Sequence, residues 1–208
     1  MQVRSIEART HGRYAVRDGP PQRLLVGFHG YAETAEKHIA ELLKIDGVED
    51  WTVVAVQGLH PFYAMKTGEV VANWMTSLDR DLAIADNIDY VRRVVASLAE
   101  PEQLVFCGFS QGAAMAYRAA AAHPTTAALL ILGGDVPPDV TAPLPRVLIG
   151  RGERDDWYTA EKFEKDLRFL EGRAEVATCA FAGGHEWSDE FRRAAGELLR
   201  SLTGQHVD

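Results

Sequence analysis

Two kinds of apolar pattern alternate along the chain. Short continuous apolar runs at 24–28, 51–56, 104–107, 127–132 and 147–149 lack the polar alternation of a half-exposed strand. Runs of that kind belong to strands buried on both faces. Between them lie stretches that read as helices, at 33–45, 78–98, 111–122, 159–170 and 188–202. In the longest, Leu82, Ile88, Val91, Val95 and Leu98 recur at three-, four- and six-residue steps, with Arg80, Asp81, Asp86, Asp89, Arg92 and Arg93 mostly on the other side. Ser188 is placed to cap the last helix. Alternation at 175–181 gives a further strand, and extended stretches at 3–9 and 14–17 flank His11-Gly12-Arg13, a hairpin-turn pattern. Residues 57–77 read as a long irregular passage, and Pro137, Pro138, Pro143 and Pro145 mark a second excursion. Strands alternating with helices predict an α/β fold, a mostly parallel central sheet with helices on both faces. No repeat, linker or low-complexity tract divides the chain, so residues 1–208 are expected to form a single domain.

Composition narrows the class of protein. Apolar residues make up 47% of the 208 and charged residues 25%, the proportions of an ordinary globular domain. A net charge of −8 argues against nucleic acid or an anionic membrane as partner. No run reaches the roughly 18 apolar residues of a membrane span. The first residues, Met1-Gln2-Val3-Arg4-Ser5, contain neither an apolar signal core nor a myristoylation glycine, which points to the cytoplasm. Cys107 and Cys179 fall in apolar strand patterns, where free buried thiols are expected. No metal-ligand spacing and no phosphate-binding glycine loop is present.

The chemistry concentrates at Gly108-Phe109-Ser110-Gln111-Gly112. An apolar strand pattern precedes it and an Ala-rich helical stretch follows, the context in which G-x-S-x-G becomes a nucleophile elbow. A serine hydroxyl needs a base to take its proton and a third group to orient that base. On such a sheet the chain order is Ser, then Asp or Glu, then His. Of the seven histidines, His185 and His206 lie beyond every downstream acid candidate, and His206 sits in the C-terminal tail. His185 follows a strand behind Gly183-Gly184 and is the expected base. Asp155, Asp156 and Asp135 all follow strand ends and are eligible acids. The oxyanion donors are expected to be the backbone N–H groups of Gln111, the residue after the nucleophile, and Tyr31, in the loop opened by His29-Gly30. His29 is expected to order that loop.

These residues resemble the phospholipase/carboxylesterase family of α/β-hydrolases, which includes acyl-protein thioesterases and small bacterial carboxylesterases. The points of likeness are His29-Gly30, Gly108-Phe109-Ser110-Gln111-Gly112 followed by Ala-Ala-Met-Ala, Gly152-x-x-Asp155 and Gly184-His185-Glu186. The resemblance places the acid three residues after the glycine and so favours Asp155. It implies hydrolysis of carboxylic esters or thioesters through an acyl-enzyme, without a cofactor. Two positions depart from the thioesterase branch. That branch reads His-Gly-x-Gly-Asp where this chain has His29-Gly30-Tyr31-Ala32-Glu33, and it carries a second glycine where this chain has Ala113. Both departures point away from a long-acyl thioesterase.

Few residues separate Leu132 from Val147, which leaves no room for a cap domain. The expected site is therefore open, walled by residues 57–77, with Phe62, Tyr63, Trp74 and Met75 as acyl-binding candidates. The leading expectation is a serine carboxylesterase acting on small to medium acyl groups of a small-molecule ester or thioester. The alternatives are an acyl thioesterase or lysophospholipase, and a non-catalytic binding protein on the same fold. An esterase of this size is compatible with a homodimer.

Overall fold

Seven of the nine strands found among the described residues join in one sheet. These positions come from a computed structural model that describes residues 1–98 and 100–204. The strands are β1 (Tyr14–Arg17), β2 (Arg23–Phe28), β3 (Thr52–Val56), β6 (Gln103–Phe109), β7 (Thr126–Leu132), β8 (Arg146–Gly152) and β9 (Val176–Phe181). Their order across the sheet is β1-β3-β2-β6-β7-β8-β9, and all neighbours run parallel except β1, which pairs antiparallel with β3 at the edge. Five helices cover the sheet: α1 (Ala35–Leu42), α2 (Arg80–Leu98), α3 (Gln111–Ala122), α4 (Ala160–Leu170) and α5 (Asp189–Thr203).

The continuous apolar runs conceal a strict period of two. Leu24, Val26 and Phe28 of β2, with Phe106 of β6 and Ile131 of β7, pack on the face covered by α2, α3 and α4. Leu25, Val105, Cys107 and Leu130 point to the other face, under α1 and α5. These central runs are apolar at consecutive positions because each face has its own core. Cys107 is buried and free, whereas Cys179 on β9 is only half-buried.

The sheet and the helices follow the sequence pattern, with three corrections. Residues 3–9 form no strand, so the expected hairpin with 14–17 is absent; β1 instead lies along β3, with Tyr14 opposite Val56 and Arg17 opposite Val53. Pairing with a buried strand gives Ala15 a core contact that an isolated hairpin would not provide.

The passage 57–77 is not irregular. It holds a second, two-stranded sheet, β4 (His60–Tyr63) against β5 (Val70–Asn73). Pro61 is tolerated because it stands opposite Ala72, whose N–H and C=O turn outward to Glu33 O and Ala32 N, at 2.9 and 3.0 Å. The missing proline donor costs the ladder nothing there.

In α2 the expected stripe is displaced. Leu82 is 52% exposed, and the buried face is Ala83, Asn87, Tyr90, Val91, Val94 and Val95. Asn87 can be buried because its amide donates to Trp74 O at 2.9 Å and to Ala83 O at 2.7 Å. Thr34, Thr159 and Ser188 cap α1, α4 and α5, each accepting a backbone N–H three residues on. Residues 133–145 contain no helix or strand. No helix among the described residues is long and apolar enough to cross a membrane.

Candidate active site

The turn from β6 into α3 holds Ser110 at φ 54° and ψ −119°. A non-glycine residue there is strained, and the surroundings must impose it. Two glycines make the approach feasible. A Cβ at Gly108 would run into the backbone of Gly112 and Ala113, and one at Gly112 into the carbonyls of Phe28 and His29. The elbow is thus pressed directly onto the end of β2. Ser110 N–H donates to Leu132 O at 2.9 Å, tying the turn to β7 as well.

Three strand ends converge at this point. Asp155 follows β8 and is only 4% exposed. Its Oδ1 accepts the N–H groups of Trp157 and Tyr158, both at 2.8 Å, which fixes the carboxylate and leaves Oδ2 for another donor. That donor is His185, whose Nδ1 lies 2.8 Å from Oδ2. With Nδ1–H directed at the carboxylate, Nε2 is the accepting nitrogen, and it stands 2.7 Å from Ser110 Oγ. The loop carrying His185 is held by Arg154 N–H donating to Gly183 O at 2.8 Å, and the imidazole packs on Phe109 with ring centroids 5.0 Å apart. The structure therefore brings Ser110, His185 and Asp155 into one hydrogen-bonded line. Asp156 is exposed and Asp135 lies in the adjacent cavity; neither bonds to His185. His206 lies outside the described residues.

The loop after β2 is braced throughout. His29 is fully buried, and burial pushes its pKa down to about 4. The neutral ring accepts Gly58 N–H at Nε2, 3.0 Å, so Nδ1 is the protonated nitrogen and donates to Gly30 O at 2.6 Å. Gly30 N–H donates to Glu33 Oε2 at 2.8 Å, and burial raises the pKa of that carboxyl. Ala32 is held at φ 59° by the Ala72 ladder. Neither Tyr31 N–H nor Gln111 N–H is taken by a partner among the described residues. For Gln111, the first residue of α3, that follows from its position in the helix.

The substrate-wall residues expected from sequence fare unequally. A cavity of about 220 Å³ opens beside Ser110, lined by Met75, Arg80, Gln111, Ala114, Gly133, Gly134, Asp135, Trp157, Lys162 and His185. Only Met75 of the four aromatic and thioether candidates lines it. Trp74 is fully buried, edge-on to Phe28 and packed beside the His29 ring, with Nε1 donating to His29 O at 2.8 Å. A side chain so enclosed packs the core and cannot touch a ligand. Phe62 is half-buried against Tyr31, and Tyr63 is 72% exposed on β4. Neither lines the cavity; as consecutive residues of β4 they point to opposite faces of the hairpin.

Arg80, Trp157 and Lys162 were not expected there. For Arg80 and Lys162 the signal available was their place at helix starts, since helix N-termini in such a sheet gather at the carboxyl ends of its strands.

A strained serine at a strand–helix turn, on a mostly parallel sheet with an acid after β8 and a histidine after β9, defines the α/β-hydrolase fold. Among solved structures, esterase PE8 superposes with a TM-score of 0.77 at 18% identity, over 93% of this chain and 100% of that one. A phospholipase/carboxylesterase from Dyadobacter fermentans DSM 18053 gives 0.69 at 18%, over 93% and 98%. Zea mays acyl-protein thioesterase 2 gives 0.71 at 17%, over 93% and 99%. The resemblance carried by the sequence motifs is thus matched in the fold across nearly the whole chain. No protein-family model matches the sequence, and a search of curated proteins returns no match.

Proposed function

We propose that the protein is a serine carboxylesterase that cleaves esters of small to medium acyl groups. The observation that carries this reading is the unbroken line from Asp155 Oδ2 through His185 to Ser110 Oγ, at 2.8 and 2.7 Å, on a turn that strains the serine. In the proposed reaction Ser110 Oγ attacks the ester carbonyl as His185 Nε2 takes its proton. Asp155 keeps the imidazole in the accepting tautomer and stabilises the imidazolium. The N–H groups of Gln111 and Tyr31 receive the developing oxyanion, a contribution of about 10²–10³ in rate for each good donor. His185 returns the proton to the leaving alcohol, and water then opens the acyl-enzyme by the same route.

The cavity supports small substrates. At about 220 Å³ it is below the roughly 300–1,000 Å³ of sites for drug-sized ligands. A short-chain acyl thioester would undergo the same steps, a second reading favoured by the fold likeness to the Zea mays acyl-protein thioesterase. Hydrolysis of p-nitrophenyl esters of graded acyl length, beside a short acyl-CoA, tests both. Turnover that peaks at short esters and is lost in Ser110→Ala supports the carboxylesterase. Preference for the acyl-CoA selects the thioesterase, and failure of a fluorophosphonate to label Ser110 overturns both.

A further inference from the structure

The walls of the cavity beside Ser110 carry an unusual charge arrangement. Two cations, Arg80 and Lys162, face one carboxylate, Asp135. The molecule as a whole has a net charge of −8, so this is a local reversal of sign. Neither Arg80 nor Lys162 forms an ion pair among the described residues; Asp139, near enough to Arg80 to feel its charge, is paired with Arg118 at 2.7 Å. The Lys162 ammonium donates to Trp157 O at 2.9 Å, which anchors it at the cavity and leaves its other N–H groups unused.

The positions of these cations oppose the needs of their own helices. Arg80 is the first residue of α2 and Lys162 the third of α4. A helix N-terminus carries a partial positive charge and favours acidic side chains. The acidic residues of those first turns, Asp81 and Glu161, do not line the cavity. The start of α3 at Gln111 also faces it. Two full positive charges, set against the single carboxylate of Asp135, and residues from the first turns of three helices therefore border a small space and leave its lining net positive. Apolar lining is limited to Met75, Ala114 and the indole of Trp157, too little to form a channel for a long acyl chain.

We infer that this cavity binds a carboxylate on the substrate, so that the preferred substrates are short esters bearing an anionic group a few bonds from the ester carbonyl, such as half-esters of dicarboxylic acids. The inference rests on the serine esterase reading and specifies its substrate class. The ester C–O bond breaks, water supplies the hydroxyl of the new acid and the proton of the alcohol, and the charged group is left unchanged. Arg80 and Lys162 determine specificity and take no proton.

The test compares kcat/KM for monoethyl glutarate and ethyl pentanoate at neutral pH by pH-stat, with 4-acetoxybutanoate against butyl acetate to place the anion on the alcohol side. In one of the two pairs the charged ester is expected to be preferred by roughly tenfold or more, carried mainly by KM, with the preference shrinking as salt is added. The double variant Arg80→Gln/Lys162→Gln should bring that ratio close to one. Asp135→Asn should raise it severalfold, and opposite responses in the two variants are not produced by damaged folding. A ratio at or below one in both pairs, or a ratio indifferent to these substitutions, overturns the anion preference while neutral-ester turnover leaves the esterase standing. Labelling of Ser110 by a fluorophosphonate without turnover of either charged ester overturns it equally. No turnover and no labelling removes the esterase reading and this inference with it.

Discussion

The side-chain amide of Gln111 holds Trp74 in a two-point grip: Oε1 accepts Trp74 N–H at 3.0 Å, and Nε2 donates to the carbonyl of the next residue, Met75, also at 3.0 Å. The residue whose backbone N–H is proposed to receive the oxyanion thus also fixes, through its side chain, the wall of the cavity.

Gln111→Ala tests that double role. The backbone donor remains, but Trp74 N–H and Met75 O lose partners in a largely buried setting, at about 1–3 kcal/mol. The expected result is a lower urea midpoint together with a raised KM and a broadened acyl-length profile, while kcat changes much less than in Ser110→Ala. A kcat loss as large as that of Ser110→Ala would show that the side chain acts in the chemistry itself.

Asp155→Asn keeps the shape of the acid but presents the wrong hydrogen-bonding group to His185. Because Oδ1 is already committed to two backbone N–H groups, the amide nitrogen must face Nδ1 and favours the opposite tautomer. A fall in kcat of about 10³–10⁴-fold with near-normal KM is expected. Asp135→Asn and Asp156→Asn should leave kcat within about threefold of the parent, because neither carboxylate bonds to His185. Steady-state kinetics on one p-nitrophenyl ester separates the three.

Ala32 occupies the left-handed region at φ 59°, where an L side chain costs roughly 1–2 kcal/mol. Glycine would remove that strain and return part of it as unfolded-state entropy. Ala32→Gly is expected to stabilise the fold by about 0.5–1 kcal/mol, measured as a rise in urea midpoint. A destabilised variant would mean that the Ala32 methyl group packs favourably enough to outweigh its backbone strain.

Two buried histidines set the response to acid. Burial lowers the pKa of His29 to about 4 and that of His38 to about 3, from 6.5. A base whose folded pKa is depressed binds its proton more readily when unfolded, so stability is full above about pH 6.5 and declines as pH falls toward those folded values. The shifts correspond to roughly 3 kcal/mol for His29 and roughly 5 kcal/mol for His38. Burial raises the pKa of Glu33 and Asp166, which gives those groups the opposite slope. The comparison should therefore be differential. Both ring nitrogens of His38 are buried without a hydrogen-bond partner among the described residues. His38→Leu should flatten the loss of stability between pH 6.5 and 4 in urea titrations. Parallel pH curves for the two proteins would show that His38 does not titrate on unfolding.

The seven-stranded sheet could be read from sequence because buried strands and amphipathic helices leave patterns only a few residues long. The elbow could be read for the same reason: Gly108, Ser110 and Gly112 fall within five consecutive residues between a strand pattern and a helix pattern, even though Gly112 presses on the distant end of β2. The errors arose where a residue's surroundings come from distant parts of the chain. Trp74 resembles a pocket aromatic until its neighbours His29, Phe28 and Gln111 are in place. Leu82 resembles a core residue of α2 until the helix is seen to turn Asn87 inward to Trp74 O instead. The hairpin β4–β5 is invisible to periodicity because its pairing is confirmed by Ala32 and Glu33, some forty residues away from Ala72. Arg80 and Lys162, more than eighty residues apart in sequence, meet only across the finished cavity.

The hairpin divides into a root and a tip. At its root, His29, Glu33, Gln111 and Asn87 all take backbone partners from residues 58–75. At its tip Met65 is wholly exposed, and Gly68, in the left-handed region, has open space around it. New residues inserted at 65–68 would extend outward without disturbing any of those bonds. Loop length at that point is therefore an adjustable property of this scaffold: a longer hairpin tip would change the surface there while Ser110, His185 and Asp155 keep their alignment.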